Sequence, residues 1–502
     1  MNVLMTLEMA AECHPERIAA TCGERSITYG RMLEAARRAG ARIRASGCRH
    51  VGFLDVNSLA APVALYAAAC AGLPYVPMNY RLTKPEIRAL LQRIAPAWLV
   101  ADPQLLEGIE VPDGFTVVDR EQFLREALDG EHAAEEPAQA DPAAVAVQLF
   151  TSGTTGAPKA AVLRHENLMS YILGTVEFAA ADEDDATLVA VPPYHIAGIS
   201  AILSSTYACR RMVQLPGFDG QAWLETCRRE KATNAFVVPT MLARIIEYID
   251  GSGAEAAMPS LRALAYGGGK MPAPVIERAM QLWPAVDFTN AYGLTETSST
   301  IALLDPEGHR EGFHSADPEV RKRLHSVGRP IDAVEIEIRG EDGNVLPAGE
   351  VGSVFVRGGQ VAGEYLGVGS LLDDKGWFPT CDRGYLDKYG FLYLDGRADD
   401  VIVRGGENIS PGEIEDVLRQ HPAIADVAVV AVPDTEWGEA VGAVVVLGPG
   451  ATAGEAELRD WVRERLRSSR VPAVLCFRQQ LPYNEMGKIL RRVLREELSA
   501  AG

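Results

Sequence analysis

A loop rich in glycine and hydroxyl side chains follows a strand-like run in the first third of the chain. The apolar run 144–150 leads directly into residues 151–160, TSGTTGAPKA. Glycines allow backbone N–H groups to point at a phosphate, hydroxyls add donors and a lysine adds charge, so the loop predicts a phosphate cradle. The groups that would supply these features are Thr151, Ser152, Gly153, Thr154, Thr155, Gly156 and Lys159.

The loop does not follow the Walker pattern of P-loop ATPases. Lys159 lies three residues after Gly156, and Ala160 follows it where the pattern requires Ser or Thr. An ATPase that releases ADP and phosphate is therefore disfavoured. The structural alternative for the loop is a flexible turn of chance composition.

Six further motifs follow the loop in a fixed order. They are PPYHIAG (192–198), AYGGGK (265–270), NAYGLTE (290–296), TCDRGYLDKYGFLYLDGRADD (380–400), GGENISPGEIE (405–415) and PYNEMGK (482–488). Together with the loop they resemble the signatures of the adenylate-forming superfamily of acyl-CoA synthetases, firefly luciferase and nonribosomal peptide adenylation domains. The resemblance is strongest to benzoate-type and medium-chain acyl-CoA ligases.

The resemblance implies a reaction in two steps. A monocarboxylate, either aryl or medium-chain acyl, attacks ATP·Mg²⁺ to give acyl-AMP and pyrophosphate, and the thiol of CoA then displaces AMP. Four alternatives stay open: transfer of the acyl group to a carrier protein, a luciferase-like oxygenase, a catalytically inactive nucleotide-binding regulator, and an ordinary P-loop ATPase, which would yield ADP and phosphate.

The resemblance also implies a nucleotide site. Adenine would lie between Tyr292 and the run of Gly267, Gly268 and Gly269, Thr295 would contact phosphate, and Glu296 would bind Mg²⁺. Asp382 would accept hydrogen bonds from both ribose hydroxyls, and Arg397 would hold the nucleotide near the ribose. The neighbouring residues Asn290, Ala291 and Gly293 complete this set.

Lys488 occupies the position of the family's catalytic lysine. Its ammonium would neutralise the charge that develops between the acyl oxygen and the phosphoryl group. Asp399 would be the hinge about which a small C-terminal domain rotates between the two steps. Gly405 and Gly406 would then border the path of the CoA thiol, and Trp437 would stack on the CoA adenine unless it is a core residue.

His195 is expected in the acyl pocket and is grouped with the catalytic residues Lys488, Thr295 and Glu296. A general-base role is disfavoured, because a carboxylic acid is already ionised at pH 7. The other pocket candidates are small or apolar, and only Lys270 offers a cation, which favours a monocarboxylate. These candidates are Ile196, Ala197, Ile199, Gly269, Ala291, Leu294 and Ser298.

Alternating strand-like and helix-like segments predict an α/β protein. The resemblance implies an N-terminal region, 1–395, with two αβ-layered sheets and a distorted antiparallel β-barrel. A hinge at 396–400 and a mobile α+β domain at 401–502 would follow. The acidic stretch 129–142 predicts an exposed connector.

The 502 residues include 48 Lys+Arg and 68 Asp+Glu, a formal net charge of −20. Such a charge excludes nucleic acid as a ready partner, and the most apolar run, 59–72, is too short to insert in a membrane. The eight cysteines form no C-x-x-C pair, and no secretion signal is evident at the N-terminus. We therefore expect a cytoplasmic monomer or homodimer.

Overall fold

Strands and helices alternate through most of the chain in the computed structural model. The structure describes residues 1–130, 137–138, 141–151, 158–397, 400–405, 407–484 and 488–501. It contains two compact units. Unit 1 is Met1–Leu324, Pro330–Glu335 and Arg357–Phe378, and unit 2 is His325–Arg329, Ile336–Val356 and Pro379–Gly502.

The secondary structure is as follows. In chain order the strands are β1 (Ile18–Cys22), β2 (Arg25–Thr28), β3 (His50–Leu54), β4 (Tyr75–Pro77), β5 (Ala97–Ala101), β6 (Thr116–Val118), β7 (Val145–Thr151), β8 (Lys159–Arg164), β9 (Ala186–Val189), β10 (Arg211–Gln214), β11 (Asn234–Val237), β12 (Ala263–Gly267), β13 (Asp287–Leu294), β14 (Ser299–Leu304), β15 (Arg329–Pro330), β16 (Val334–Arg339), β17 (Gly352–Gly358), β18 (Glu364–Tyr365), β19 (Gly369–Ser370), β20 (Phe378–Leu386), β21 (Leu392–Arg397), β22 (Ile402–Arg404), β23 (Glu407–Ile409), β24 (Ile424–Asp434), β25 (Gly438–Leu447) and β26 (Val474–Arg478). The helices are α1 (Leu4–Cys13), α2 (Tyr29–Ala45), α3 (Ala60–Ala71), α4 (Lys84–Ile94), α5 (Pro103–Leu106), α6 (Arg120–Asp129), α7 (His165–Thr175), α8 (Ile196–Tyr207), α9 (Gly220–Arg229), α10 (Pro239–Ser252), α11 (Ala273–Leu282), α12 (Pro306–His314), α13 (Pro318–Arg321), α14 (Pro411–Arg419), α15 (Glu455–Arg463) and α16 (Arg491–Ala501). Short 3₁₀ helices span Thr295–Thr297, Lys322–His325 and Ser468–Arg470.

One large sheet of unit 1 has the strand order β15-β14-β13-β12-β11-β9-β10-β1-β2. Its central strands, from β1 through β10, β9, β11 and β12 to β13, are parallel neighbours. Because parallel strands end at the same edge of a sheet, two motifs lie at one edge. They are the glycine run at the end of β12 and the YGLTE motif, which begins in β13 and continues into the 3₁₀ helix Thr295–Thr297.

The second sheet of unit 1 has the order β19-β18-β8-β7-β4-β3-β5-β6. Helix α3 is buried at every residue and packs in the core beside this sheet, which explains the apolar run at 59–72. β7 and β8 form an antiparallel hairpin in which Thr151 pairs with Lys159, so the predicted phosphate loop is the hairpin connection. Its residues 152–157 lie outside the described residues.

Unit 2 holds most of an antiparallel sheet with the order β16-β17-β20-β21. Over the described residues this sheet is open, where the resemblance led us to expect a distorted barrel. The end of the chain forms the predicted α+β domain, a sheet with the order β23-β22-β25-β24 in which β26 joins β25. Alternate residues of β24 face α14 and α15 on one side and α16 on the other.

The predicted α/β class, with a large N-terminal multi-sheet region and a small C-terminal domain, is confirmed. All eight cysteines lie within the described residues and are free thiols. No helix in the described parts of the chain combines the length and the apolar character needed to cross a bilayer.

Candidate active site

The phosphate loop is anchored at both of its ends. The Thr151 hydroxyl donates to the carbonyl of Lys159 at 3.4 Å across the base of the hairpin. Arg93, on α4, lies over the ring of Phe150 at 4.8 Å and donates to the carbonyl of Pro158. Ser152, Gly153, Thr154, Thr155 and Gly156 belong to the part of the loop that the structure does not describe.

Lys159 and Glu296 meet at a tyrosine that the sequence analysis did not select. The Lys159 ammonium lies 5.5 Å from the ring centroid of Tyr365, and the Tyr365 hydroxyl donates to Glu296 Oε1. Glu296 is nearly buried, whereas Lys159 is exposed. The structure thus brings together the predicted phosphate cation and the predicted metal ligand, although they are far apart in sequence.

The turn that carries Thr295 and Glu296 is tightly constrained. Ser298 and Ser299 have positive φ angles of 55° and 119°. Residues other than glycine adopt this backbone conformation only at a cost in conformational free energy. The Thr297 hydroxyl accepts from the Leu294 N–H at 3.0 Å and lies 2.8 Å from the Ser299 carbonyl, which closes the turn.

The glycine run at the end of β12 has a different role at each position. Gly267 pairs with Ala291, and a Cβ on Gly267 would lie 2.2 Å from the Ala291 carbonyl oxygen. Gly268 has a φ of 82°, whereas the nearest atom to a Cβ on Gly269 is 3.8 Å away. Asn290, Ala291, Tyr292 and Gly293 follow along β13 beside this run.

His195 lies at the start of α8, where its ring contacts Tyr194 at a centroid distance of 4.5 Å. Burial, with a smaller contribution from the Arg81 charge, lowers the pKa of His195 to about 4, so the imidazole is neutral at pH 7. Its Nε2 atom is buried and has no hydrogen-bond partner among the described residues, and the same holds for the Tyr194 hydroxyl. Arg81 is a cation near this pocket that the sequence analysis missed.

Unit 2 brings Asp382 and Arg397 together on neighbouring strands. The two residues are paired across β20 and β21, and Arg397 Nη1 lies 3.3 Å from Asp382 Oδ1. Asp382 is buried and Arg397 partly buried. The two oxygens of a carboxylate can each accept a hydrogen bond from one hydroxyl of a diol.

Lys488 is exposed at the end of a short hairpin in unit 2. Its N–H donates to Asn484 Oδ1 and its carbonyl accepts from the Asn484 N–H, both at 2.8 Å. The Tyr483 hydroxyl donates to Asp426 at 2.5 Å and fixes the other strand of the hairpin. Asp400 lies close enough to Lys488 for an electrostatic interaction between the two charges. The predicted hinge residue Asp399 falls outside the described residues.

Gly405 packs against the face of Trp437. The Gly405 N–H donates to the Trp437 carbonyl at 2.8 Å, and a Cβ on Gly405 would lie 2.6 Å from the indole ring. Trp437 is 45% exposed, with the Arg404 guanidinium 5.6 Å from its ring centroid. The ring is therefore available for stacking, while Gly406 is not among the residues described.

The donor set around Glu296 suits Mg²⁺ that arrives with a nucleotide. The described residues contain no cluster of three or more His, Cys, Asp or Glu side chains that would hold a metal alone. Mg²⁺ in nucleotide enzymes is commonly bound by one or two carboxylates together with substrate phosphates. A single, nearly buried carboxylate whose Oε1 is already fixed by a hydroxyl fits this pattern.

Comparison with protein families and with known proteins finds relatives along nearly the whole chain. Residues 7–366 match the family described as AMP-binding enzyme, and residues 413–488 match the AMP-binding enzyme C-terminal domain. The 2-succinylbenzoate–CoA ligase of Bacillus subtilis is 31% identical over 98% of this chain and 97% of its own length. The fatty acid–[acyl-carrier-protein] ligase ScoC of Streptomyces coeruleorubidus is 31% identical over 99% of this chain and 96% of its own length.

Solved structures show the same relationship. The o-succinylbenzoate CoA synthetase of Bacillus subtilis in complex with its acyl-adenylate intermediate superposes with a TM-score of 0.83 at 29% identity, covering 99% of this chain and 98% of the other. The same enzyme with ATP and a magnesium ion gives a TM-score of 0.81 at 30% identity, covering 97% and 98%.

Proposed function

The chain belongs to the AMP-binding enzyme family, and from this premise we propose how its residues activate a carboxylic acid. It is an AMP-forming acid–thiol ligase whose ligands are ATP, Mg²⁺ and CoA. The observation that supports the proposal is the convergence of Lys159 and Glu296 on Tyr365, because a cation for the phosphates and a carboxylate for Mg²⁺ would have to lie close together.

In the first step the carboxylate of the acid attacks the α-phosphorus of ATP, and pyrophosphate leaves. Bound Mg²⁺ neutralises charge on the triphosphate. Lys159 and the backbone of the phosphate loop hold the phosphates. Asp382, which lies beside Arg397, accepts hydrogen bonds from the ribose hydroxyls. Lys488 supplies an ammonium to the charge that develops between the acyl oxygen and the phosphoryl group.

In the second step the CoA thiol gives up its proton to solvent and its sulfur attacks the acyl carbonyl carbon. The bond between that carbon and the phosphate oxygen breaks, and AMP leaves. Gly405, which packs against the Trp437 ring, would border the path of the pantetheine arm, and the exposed part of that ring would stack on the adenine of CoA. His195, which burial keeps neutral, lines the acyl pocket. It does not act as a general base, because the carboxylic acid is already ionised at pH 7.

We propose an aryl or medium-chain monocarboxylic acid as substrate and the cytoplasm, where ATP and CoA are present, as the location. A carrier-protein phosphopantetheine is the second candidate acceptor, because ScoC, which is 31% identical to this chain, is a ligase of that kind. Transfer of the acyl group to CoA alone, at a rate matching adenylation, would exclude an obligatory carrier.

The test is release of pyrophosphate from ATP across a panel of aryl acids and C2–C16 acids, with and without CoA. We expect one class of acid to give acyl-AMP and pyrophosphate without CoA, and AMP and acyl-CoA when CoA is added. The proposal is overturned if no acid yields AMP and pyrophosphate, or if the products are ADP and phosphate.

A further inference from the structure

The segment 360–366 ties the phosphate hairpin to the turn that carries Glu296. Gln360, which is fully buried, donates through Nε2 to the carbonyls of Thr297 at 3.0 Å and Thr300 at 2.8 Å. The N–H groups of Ala362 and Gly363 donate to the Glu296 carbonyl at 2.9 and 3.0 Å. These bonds fix the backbone on which the Glu296 side chain is carried.

The same segment is fixed to β8 on its other side. Tyr365 pairs with Ala161 in β18 and β8, and the Leu366 N–H donates to the Ala160 carbonyl at 2.9 Å. Glu364 forms a two-bond ion pair with Arg164 at 2.9 and 3.0 Å. Tyr365 is thus held by its backbone between Lys159, at the start of β8, and Glu296.

The Tyr365 side chain contacts both charged groups through different atoms. Its hydroxyl donates to Glu296 Oε1, which orients the carboxylate and leaves Oε2 for another ligand. Its ring face lies 5.5 Å from the Lys159 ammonium, a cation–π distance. One side chain therefore orients the carboxylate and holds the ammonium at separate atoms.

We propose that Tyr365 is a positioning residue for adenylation, orienting Glu296 toward Mg²⁺ through its hydroxyl and holding Lys159 at the nucleotide phosphates through its ring. This inference rests on the proposed function. It predicts that the two contacts are separable: loss of the hydroxyl weakens metal binding, whereas loss of the ring also weakens binding of the nucleotide itself.

Two variants separate the contacts. Tyr365→Phe keeps the ring and removes the hydroxyl, and Tyr365→Leu removes both. Mn²⁺, which electron paramagnetic resonance can observe, replaces Mg²⁺ and is titrated into each protein in the presence of α,β-methylene-ATP. Calorimetry measures the affinity of each protein for the nucleotide without metal. Tyr171→Phe, a partly buried tyrosine on α7, is the matched control.

We expect Tyr365→Phe to raise the Kd for Mn²⁺ about 10-fold, as removal of partners that orient metal ligands does, with the metal-free Kd for the nucleotide unchanged. Tyr365→Leu should show the same loss and also raise the metal-free Kd about two- to fivefold. Excess Mg²⁺ should restore adenylation by Tyr365→Phe, and Tyr171→Phe should behave as wild type.

An unchanged Kd for Mn²⁺ in Tyr365→Phe overturns the inference. A metal-free Kd that rises equally in both variants also overturns it, because the ring would then have no separate role. Should Tyr365→Leu fold poorly, Tyr365→Phe alone decides the metal contact. Failure of the wild-type enzyme to release pyrophosphate with any acid would instead reject the proposed function.

Discussion

At the residue scale, the ammonium proposed for Lys488 would serve one step of the reaction only. The hairpin bonds to Asn484 fix its backbone, while its exposed side chain can reach an external anion. Charge between an acyl oxygen and a phosphoryl group develops only during adenylation. Attack of a thiol on the acyl carbonyl of a preformed acyl-AMP does not require this ammonium.

We therefore expect Lys488→Ala to lower the rate of adenylation about 10²- to 10³-fold, the typical effect of removing one electrostatic stabiliser. Formation of acyl-CoA from supplied acyl-AMP should stay within about threefold of wild type. Pyrophosphate release and thioester formation are measured separately, and Lys388→Ala, an exposed lysine in the same unit, is the control. Equal loss of both half-reactions would contradict the role assigned to Lys488.

His195 offers a second test at this scale. Because burial lowers its pKa to about 4, its charge does not change between pH 5.5 and 8. We expect the pH profile of kcat/KM for adenylation in His195→Phe to run parallel to that of wild type over this range, whatever the change in absolute rate. Profiles that diverge around pH 6.5 would show that the imidazole titrates in the working enzyme.

At the scale of elements, the contact of β12 with β13 sets the shape of the proposed adenine site. The backbones approach so closely at Gly267 that a Cβ there would overlap the Ala291 carbonyl, whereas a Cβ on Gly269 would make only ordinary contact with Pro239, at 3.8 Å. We expect Gly267→Ala to lower the free energy of unfolding by about 1–3 kcal/mol, the usual cost of overpacking. Gly269→Ala should change it by less than about 0.5 kcal/mol.

Urea denaturation of both variants measures this difference, and binding of ATP measures its consequence for the site. The two substitutions are chemically identical, so the comparison removes the effect that alanine has on the unfolded chain. Equal stability of the two variants would mean that β12 and β13 are not as close at Gly267 as the structure has them.

The elements that local patterns encode were predictable from the sequence. The apolar run before the phosphate loop is β7, the run ending in the glycines is β12, and the last hundred residues form the expected α+β domain. Strand β18, which carries Tyr365, was not predictable, because it pairs with β8 some two hundred residues earlier in the chain and because β18 and β19 have only two residues each. A period cannot be read from so short a strand.

At the scale of the whole molecule, the net charge is −20, so positive groups must offset it locally wherever an anion is to bind. ATP, CoA and a carboxylic acid are all anions, so a repelling surface needs sites at which cations and N–H groups converge. Lys159 at Tyr365 and Arg397 at Asp382 are the sites proposed for this, although a carboxylate lies beside each cation. Sequence could identify the cations, but only the fold shows which acidic groups hold them.

Buried neutral histidines couple the stability of unit 1 to pH. The pKa values of His165 and His309 are lowered to about 4, chiefly by burial. Hydrogen bonds agree with a neutral state: His165 Nδ1 accepts from the Val3 N–H, and His309 lies between the Tyr266 hydroxyl and the Asp305 carbonyl, each at 2.8 Å. A ring that donates to the carbonyl through Nδ1 can accept from the tyrosine at Nε2 only when neutral.

Unfolding should therefore take up protons between about pH 6.5 and pH 4. In that window an unfolded histidine, with a pKa near 6.5, is protonated while the folded one is not, so stability falls as pH falls. Each such histidine contributes up to about 1.4 kcal/mol per pH unit. His309→Gln keeps a donor and an acceptor but cannot titrate. The number of protons taken up on unfolding between pH 6.5 and 5 should therefore decrease by close to one, and the slope of the free energy of unfolding against pH should decrease with it. The carboxylates are common to both proteins, so urea denaturation at each pH isolates His309, and equal slopes would mean that its imidazole is charged in the folded protein.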